Sequence, residues 1–156
     1  MRVLFVCSGN ICRSAMAAAY FRHHARLCSV DDLEIDSAGT LNIDGSPASV
    51  EAIEVMREIG IDLGGHRSRG IGPDDVHRAD WIVAMTHGHL EELAQRFPGG
   101  GATRVLLRAF EAGTTAQPDP SDLDDPMGRP VGFYREQLPV LTRCLDHFAL
   151  HLGLGR

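Results

Sequence analysis

Apolar and polar positions alternate in blocks along the chain, and the blocks switch period. Val3–Val6 is an unbroken apolar run, as in a parallel strand buried on both faces. Met16, Ala19, Tyr20, His23 and Leu27 recur at helical spacing, so 14–27 reads as a helix. Leu33–Ser37 is a short second strand. Ser46-Pro47 then reads as an N-cap followed by proline at the first helical position. Ala52, Val55, Met56 and Ile59 make one face of that helix, which Gly60 ends. Trp81–Met85 is a third strand; Leu90, Leu93, Ala94 and Phe97 mark a helix closed by the PGGG of 98–101; Val105–Leu107 is a fourth strand. Phe133, Gln137, Val140, Leu141, Cys144, Phe148 and Leu152 trace a last amphipathic helix.

This order of strand and helix predicts an α/β fold: a single domain over 1–156, with a four-stranded parallel sheet covered by helices on both faces. Such sheets bind ligands beyond the carboxyl ends of their strands. One segment breaks the rhythm. Residues 111–130 lack periodicity and hold four prolines and five acidic side chains, the kind of long loop that is usually functional or disordered.

Composition narrows the classes. A net charge of −6 gives no basic footprint for nucleic acid. All 15 cationic side chains are arginine, which reads as compositional bias. No apolar run approaches the ~20 residues of a membrane helix, and only four apolar residues follow Arg2, unlike a signal peptide. A cytoplasmic protein without membrane attachment is expected. Four cysteines, Cys7, Cys12, Cys28 and Cys144, are then free thiols, with Cys28 and Cys144 ordinary residues of helical patterns. His23-His24 and His87-x-His89 lack a third ligand at plausible spacing, so no metal is expected.

Cys7 and Cys12 differ because of their place. Cys7 ends the first strand, and a helix starts just after Arg13. The backbone N–H groups of the intervening turn converge on one point, an anion nest at a helix N-terminus. That field favours a thiolate at Cys7, and Arg13 can bring its planar fork to two oxygens of the same anion. Gly9 allows close approach, Asn10 tolerates left-handed dihedrals, and Ser14 can give its hydroxyl to the sulfur. Ser8, Gly9, Asn10, Ile11, Cys12 and Arg13 thus form a phosphate-binding loop beside a nucleophile, which is what in-line attack on a phosphomonoester requires. Departure of the leaving oxygen calls for a general acid. The acidic loop offers Asp119, Asp122, Asp124 and Asp125; Asp119 and Asp125 precede proline, which fixes their backbone, and position alone does not choose.

CSGNICRS at 7–14 resembles the active-site loop of the low-molecular-weight protein tyrosine phosphatases. DSAGT at 36–40, HRSR at 66–69, LDDPMG at 123–128 and the FYREQLPVLTRCLDHF helix extend the similarity over nearly the whole chain. The resemblance implies a Rossmann-like four-stranded sheet, Cys7 as nucleophile, Arg13 as phosphate clamp and Asp125 as general acid. It implies that Asn10, Ser14, Ser37 and His66 hold the loop in shape, and that Cys12 can trap oxidised Cys7 as a disulfide. No cofactor is implied; the partner is a phosphorylated protein or peptide, and the chain a monomer or weak dimer. Tyrosine-specific members wall the pocket with aromatics, whereas Ile43, Met127 and Gly128 stand at those positions here. AMTHGH at 84–89 and the short DPMG turn look more like the protein arginine phosphatase branch, which carries Thr where this chain has Ile11. Phosphotyrosine is the first expectation and phosphoarginine the second. Arsenate reductase, which shares the fold, depends on mid-chain cysteines that are missing between Cys28 and Cys144. An expectation of another class is a phosphopeptide-binding module without turnover.

Overall fold

The structure is a computed structural model, and it describes residues 1–155. Four strands, β1 (Arg2–Cys7), β2 (Glu34–Gly39), β3 (Trp81–Ala84) and β4 (Thr103–Leu106), form one parallel sheet in the order β2-β1-β3-β4. The helices are α1 (Arg13–Leu27), α2 (Val50–Glu58), α3 (Pro73–Arg78), α4 (His87–Arg96) and α5 (Val131–His151), with a 3₁₀ turn at Leu107–Phe110. The chain leaves β1 toward β2 on one side and reaches β3 on the other. The carboxyl end of β1 is therefore a topological switch point, where adjoining connections diverge and leave a crevice.

The unbroken apolar run of β1 is explained by two cores. Val3 and Phe5 point into a large core with residues of α1, α2 and α5, while Leu4 and Val6 point into a smaller one with Val76 of α3 and Leu93 of α4. Ala15, Ala17 and Ala18 let α1 lie close on the sheet, and all three are buried. The centre of the large core is aromatic. Phe148 meets Phe110 at 5.1 Å, Phe21 and Trp81 at 5.5 Å each, and Phe5 at 6.5 Å between ring centroids.

Several elements depart from the pattern. In α1 the anchor is Phe21, 1 % exposed, while Leu27 is 67 % exposed: the run of alanines hides the true stripe and the helix outlasts the sheet beneath it. In α5 the buried stripe runs through Tyr134, Leu138, Leu141, Cys144, Leu145 and Phe148; Phe133 instead lies under the Arg129 guanidinium at its edge. Ser46-Pro47 does not cap α2. The segment before that helix is spent wrapping the turn after β1, with Ser49 N–H donating to the Ile11 carbonyl at 2.9 Å. Ser49 is the cap, its Oγ accepting from Ala52 N–H at 3.2 Å. The short α3 went unannounced; proline occupies its first position, and Asp75 accepts from Gly72 N–H at 2.8 Å. Leu107 belongs to the 3₁₀ turn, not to β4.

Truncating Phe148 to alanine removes the ring shared by four aromatic neighbours. Stability is expected to drop by about 3–5 kcal/mol, whereas Leu27→Ala at the surface changes it by less than about 0.5 kcal/mol. Urea unfolding of the two variants checks this contrast.

Candidate active site

The carbonyls of Cys7, Ser8, Asn10, Ile11 and Cys12 are tied outward. Thr40 N–H donates to the Cys7 carbonyl and Leu41 N–H to that of Ser8, each at 3.0 Å. Ser49 N–H takes the Ile11 carbonyl, and Met16 N–H takes that of Cys12 at 2.9 Å. The Asn10 carbonyl meets His66 Nε2 at 2.6 Å; a carbonyl only accepts, so the imidazole carries its proton on Nε2 there. With the carbonyls held outside, the amides face inward. The Asn10 amide donates to Cys7 Sγ at 3.3 Å. Among the described residues, no protein acceptor takes the amides of Gly9, Ile11 or Cys12. The N-cap of α1, Cys12, makes no capping bond from its side chain, so the dipole end of that helix also opens on the turn.

Asn10 is the keystone of this arrangement. It has φ 57°, the left-handed region that asparagine tolerates, and is fully buried. Its Nδ2 donates to Ser14 Oγ and Ser37 Oγ, both at 2.9 Å, and its Oδ1 accepts from Arg69 N–H at 3.0 Å. Ser14 Oγ, accepting from Asn10, also lies 2.9 Å from Cys7 Sγ, and it is the donor of that pair when Cys7 is a thiolate. Gly39 permits the fit: a Cβ there would lie 2.5 Å from the Ser8 carbonyl oxygen. Arg69 is fixed in turn by Asp75 at 2.9 Å and Asp36 at 2.8 Å. These bonds with Asp75, against the cost of burial, raise the Arg69 pKa.

Arg13 is 5 % exposed. One terminal nitrogen donates to the Leu123 carbonyl at 2.9 Å, the other lies 3.5 Å from Asp125 Oδ2, and Nε is buried without a partner. Leu123 itself is a buried plug whose N–H donates to the Met85 carbonyl at 2.8 Å, so the acidic loop is pinned between β3 and Arg13. Asp125 Oδ1 accepts from Met127 N–H at 3.1 Å. A cavity of about 110 Å³ is lined by Cys7, Ser8, Gly9, Ile11, Cys12, Arg13, Leu41, Ile43, Asp125 and Met127. Asp125 therefore shares the cavity with Cys7 while Asp119 lies outside, exposed. Asp122 is engaged elsewhere: its carboxylate accepts from the backbone and ring of His87, each at 2.7 Å, and the backbone bond leads in lowering its pKa.

Residues 2–153 match the model of the low molecular weight phosphotyrosine protein phosphatase family. The chain belongs to this family. It is 36% identical over 148 residues to a protein-arginine-phosphatase of Geobacillus stearothermophilus, covering 95% of this chain and 93% of that one. It is 38% identical over 150 residues to low molecular weight protein-tyrosine phosphatase A of Mycobacterium tuberculosis, covering 93% and 87%. The crystal structure of the low molecular weight protein tyrosine phosphatase from T. tengcongensis superposes with a TM-score of 0.86 at 34% identity, over 96% of this chain and 98% of that one. The chain is thus a phosphatase of the low-molecular-weight type, with its α/β sheet.

The sequence-predicted residues of this phosphatase meet in one place, with two qualifications. Gly128 does not line the cavity, whereas Leu41, two residues past Gly39, does. Cys12 faces away from open solvent: its thiol touches Tyr134 OH at 3.2 Å and Ser49 Oγ at 3.4 Å, and burial raises its pKa. Both cysteines of the loop are free thiols. Tyr134 is likewise pushed above the usual tyrosine range by burial. Among the described residues, no group of three or more His, Cys, Asp or Glu could hold a metal ion, and no helix is long and apolar enough to cross a membrane.

Half-buried His66 was expected at the loop, whereas buried His89 had been given no role. Burial lowers the pKa of His66, and burial followed by the Arg13 charge pulls that of His89 down to about 4. The ordinary histidine value is about 6.5. Between these two values the unfolded chain binds a proton that folded His89 refuses. Stability contributed by neutral His89 is therefore full above about pH 6.5 and is lost as pH falls toward 4. Melting temperatures of wild type and His89→Gln at pH 7.5 and 5.0 should show a smaller acid loss in the variant.

Proposed function

We propose that the whole chain, 1–156, acts as one cysteine-dependent phosphatase domain that hydrolyses protein phosphotyrosine through a cysteinyl-phosphate. The observation that carries this reading is the single cavity onto which Cys7, Arg13 and Asp125 all open, with the Arg13 Nε buried and unpartnered. An anion seated in the turn satisfies that Nε and the inward amides. The Cys7 thiolate attacks phosphorus in line as the bond to the leaving phenolic oxygen breaks, and Asp125 gives that oxygen its proton. Asp125, now a carboxylate, takes a proton from the water that attacks the cysteinyl-phosphate, releasing inorganic phosphate and restoring the thiolate. Arg13 and the amides balance the charge spread over the equatorial oxygens. Ser14 steadies the sulfur, while Asn10, Ser37 and His66 keep the turn in place. No cofactor enters the scheme; the reading includes a cytoplasmic enzyme, monomeric or weakly dimeric, acting on phosphorylated protein or peptide.

The rest of the cavity wall is Ile11, Leu41, Ile43 and Met127, apolar groups suited to the faces of an aryl ring. A specific observation favours the second reading, protein arginine phosphatase: none of these walls is aromatic, and Asp125 is the one carboxylate lining the cavity, placed to face a guanidinium. Rates on phosphotyrosyl and phosphoarginyl peptides, with Ile11→Thr alongside, decide between them. We expect faster phosphotyrosine turnover by wild type and a shift toward phosphoarginine in Ile11→Thr; a wild-type preference for phosphoarginine overturns the first reading.

Turnover itself is checked with p-nitrophenyl phosphate. Cys7→Ser should abolish it, and a wild type without turnover leaves only a binding module. Asp125→Asn should slow substrates with poor leaving groups by about 10²–10⁴-fold and spare those with good ones. Equal loss on both kinds, or the full effect in Asp119→Asn instead, removes Asp125 from the role.

A further inference from the structure

Ser8 follows the proposed nucleophile directly and lines the same cavity, yet its side chain has no part in the loop-holding network. Its hydroxyl is held from behind. Ser8 Oγ lies 2.8 Å from Nε2 of His89, a residue on the first turn of α4 that is 5 % exposed. The other ring nitrogen, Nδ1, is buried with no partner. Arg13, Glu92, Asp122 and Asp125 are the charged groups that act on this ring, and His89 is neutral at pH 7. None of the three carboxylates hydrogen-bonds to the ring: Glu92 is bound to Arg96, Asp122 to His87 and Asp125 to Met127 N–H.

A neutral imidazole carries one N–H and one lone pair. With the proton on Nδ1, a buried donor would have no acceptor at all. With it on Nε2, the N–H meets Ser8 Oγ and only a lone pair is left bare, the lesser penalty. The Nε2–H tautomer therefore holds, and His89 donates to Ser8. The hydroxyl cannot return that bond, so its own proton is free for the side of Ser8 that faces the cavity. A serine hydroxyl next to the proposed phosphate site, relieved of its role as donor to protein, is a donor for an oxyanion.

We propose that Ser8 is a side-chain donor to an oxygen of the bound phosphoryl group, and that His89 is the positioning residue that turns the Ser8 hydroxyl toward it. The inference rests on the phosphatase reading above for the identity of the anion. It adds to the backbone nest and Arg13 a third contact, one that strengthens as charge builds on the equatorial oxygens. His89 touches no substrate and moves no proton.

Four single variants and one double variant test it, read by kcat/KM on p-nitrophenyl phosphate, by calorimetric affinity for inorganic phosphate, and by melting temperature. Ser8→Ala should lose about tenfold in kcat/KM and weaken phosphate binding, with a lower melting temperature because the buried His89 N–H loses its acceptor; Ser8→Thr, which keeps the hydroxyl, should stay within about threefold of wild type and keep its melting temperature. His89→Gln, whose amide N–H can replace Nε2–H, should retain activity, and His89→Leu should fall to the Ser8→Ala level. In the Ser8→Ala background, His89→Leu should cost less than a further twofold or so, because the hydroxyl it orients is gone. Wild-type phosphate affinity in Ser8→Ala overturns the proposal, as does a His89→Leu loss that persists undiminished in the double variant. If His89→Leu does not fold, Ser8→Ala against Ser8→Thr still decides. A wild type that binds phosphate but turns nothing over defeats the phosphatase reading alone, since the calorimetric arm still reads Ser8.

Discussion

The turn after β1 presents its amides to one point because groups elsewhere in the chain take the carbonyls of Cys7, Ser8, Asn10, Ile11 and Cys12. Here that duty is distributed over the chain: Thr40 and Leu41 after β2, Ser49 before α2, His66 from the following loop, and Met16 from α1 itself. Asn10 joins them, its left-handed backbone reversing the turn and its side chain satisfied at every polar atom. Dry surroundings make each of these bonds stronger and each loss more costly. The same bonds press β2 and the loops after it against the turn, so close that Gly39 has no room for a Cβ.

The fold supplies what local sequence could not. Cys7 is placed by the end of a central strand whose two faces are buried in different cores. The small residues of α1 seat the helix, and hence Arg13 at its first turn, low on the sheet. Asp125 comes from more than a hundred residues away and is brought to the cavity by Leu123, a buried residue whose N–H donates to the carbonyl of Met85, just after β3, and whose carbonyl accepts from the Arg13 side chain. The chemistry proposed for the cavity thus depends on packing at positions with no reactive group.

The continuous run of β1, the C-x₅-R spacing and the switch of periodicity made the sheet and the loop legible, because each depends on neighbours in sequence. Residues alone left Asp119 and Asp125 open, since both precede proline; the resemblance chose Asp125, which lines the cavity while Asp119 is exposed. Leu41 and His89 were missed for a similar reason. One is an exposed apolar residue in a loop and the other a histidine in a helical pattern, and neither spacing says that the chain folds them onto the turn. The false cap at Ser46-Pro47 shows the converse: local capping chemistry was right in kind, but the serine three residues later was needed to cap the helix after the chain had finished circling the loop.

Arg13 serves two masters. Its guanidinium grips the acidic loop through the Leu123 carbonyl and Asp125, while its buried Nε–H has no protein partner and the residue lines the cavity. A ligand that draws on this group must alter the loop's hold, and anything that stiffens or loosens the loop must alter how tightly the ligand is held, by the same factor in both directions. The coupling between affinity for the product anion and the order of the acidic loop is therefore one thermodynamic quantity, read at two ends of a single side chain.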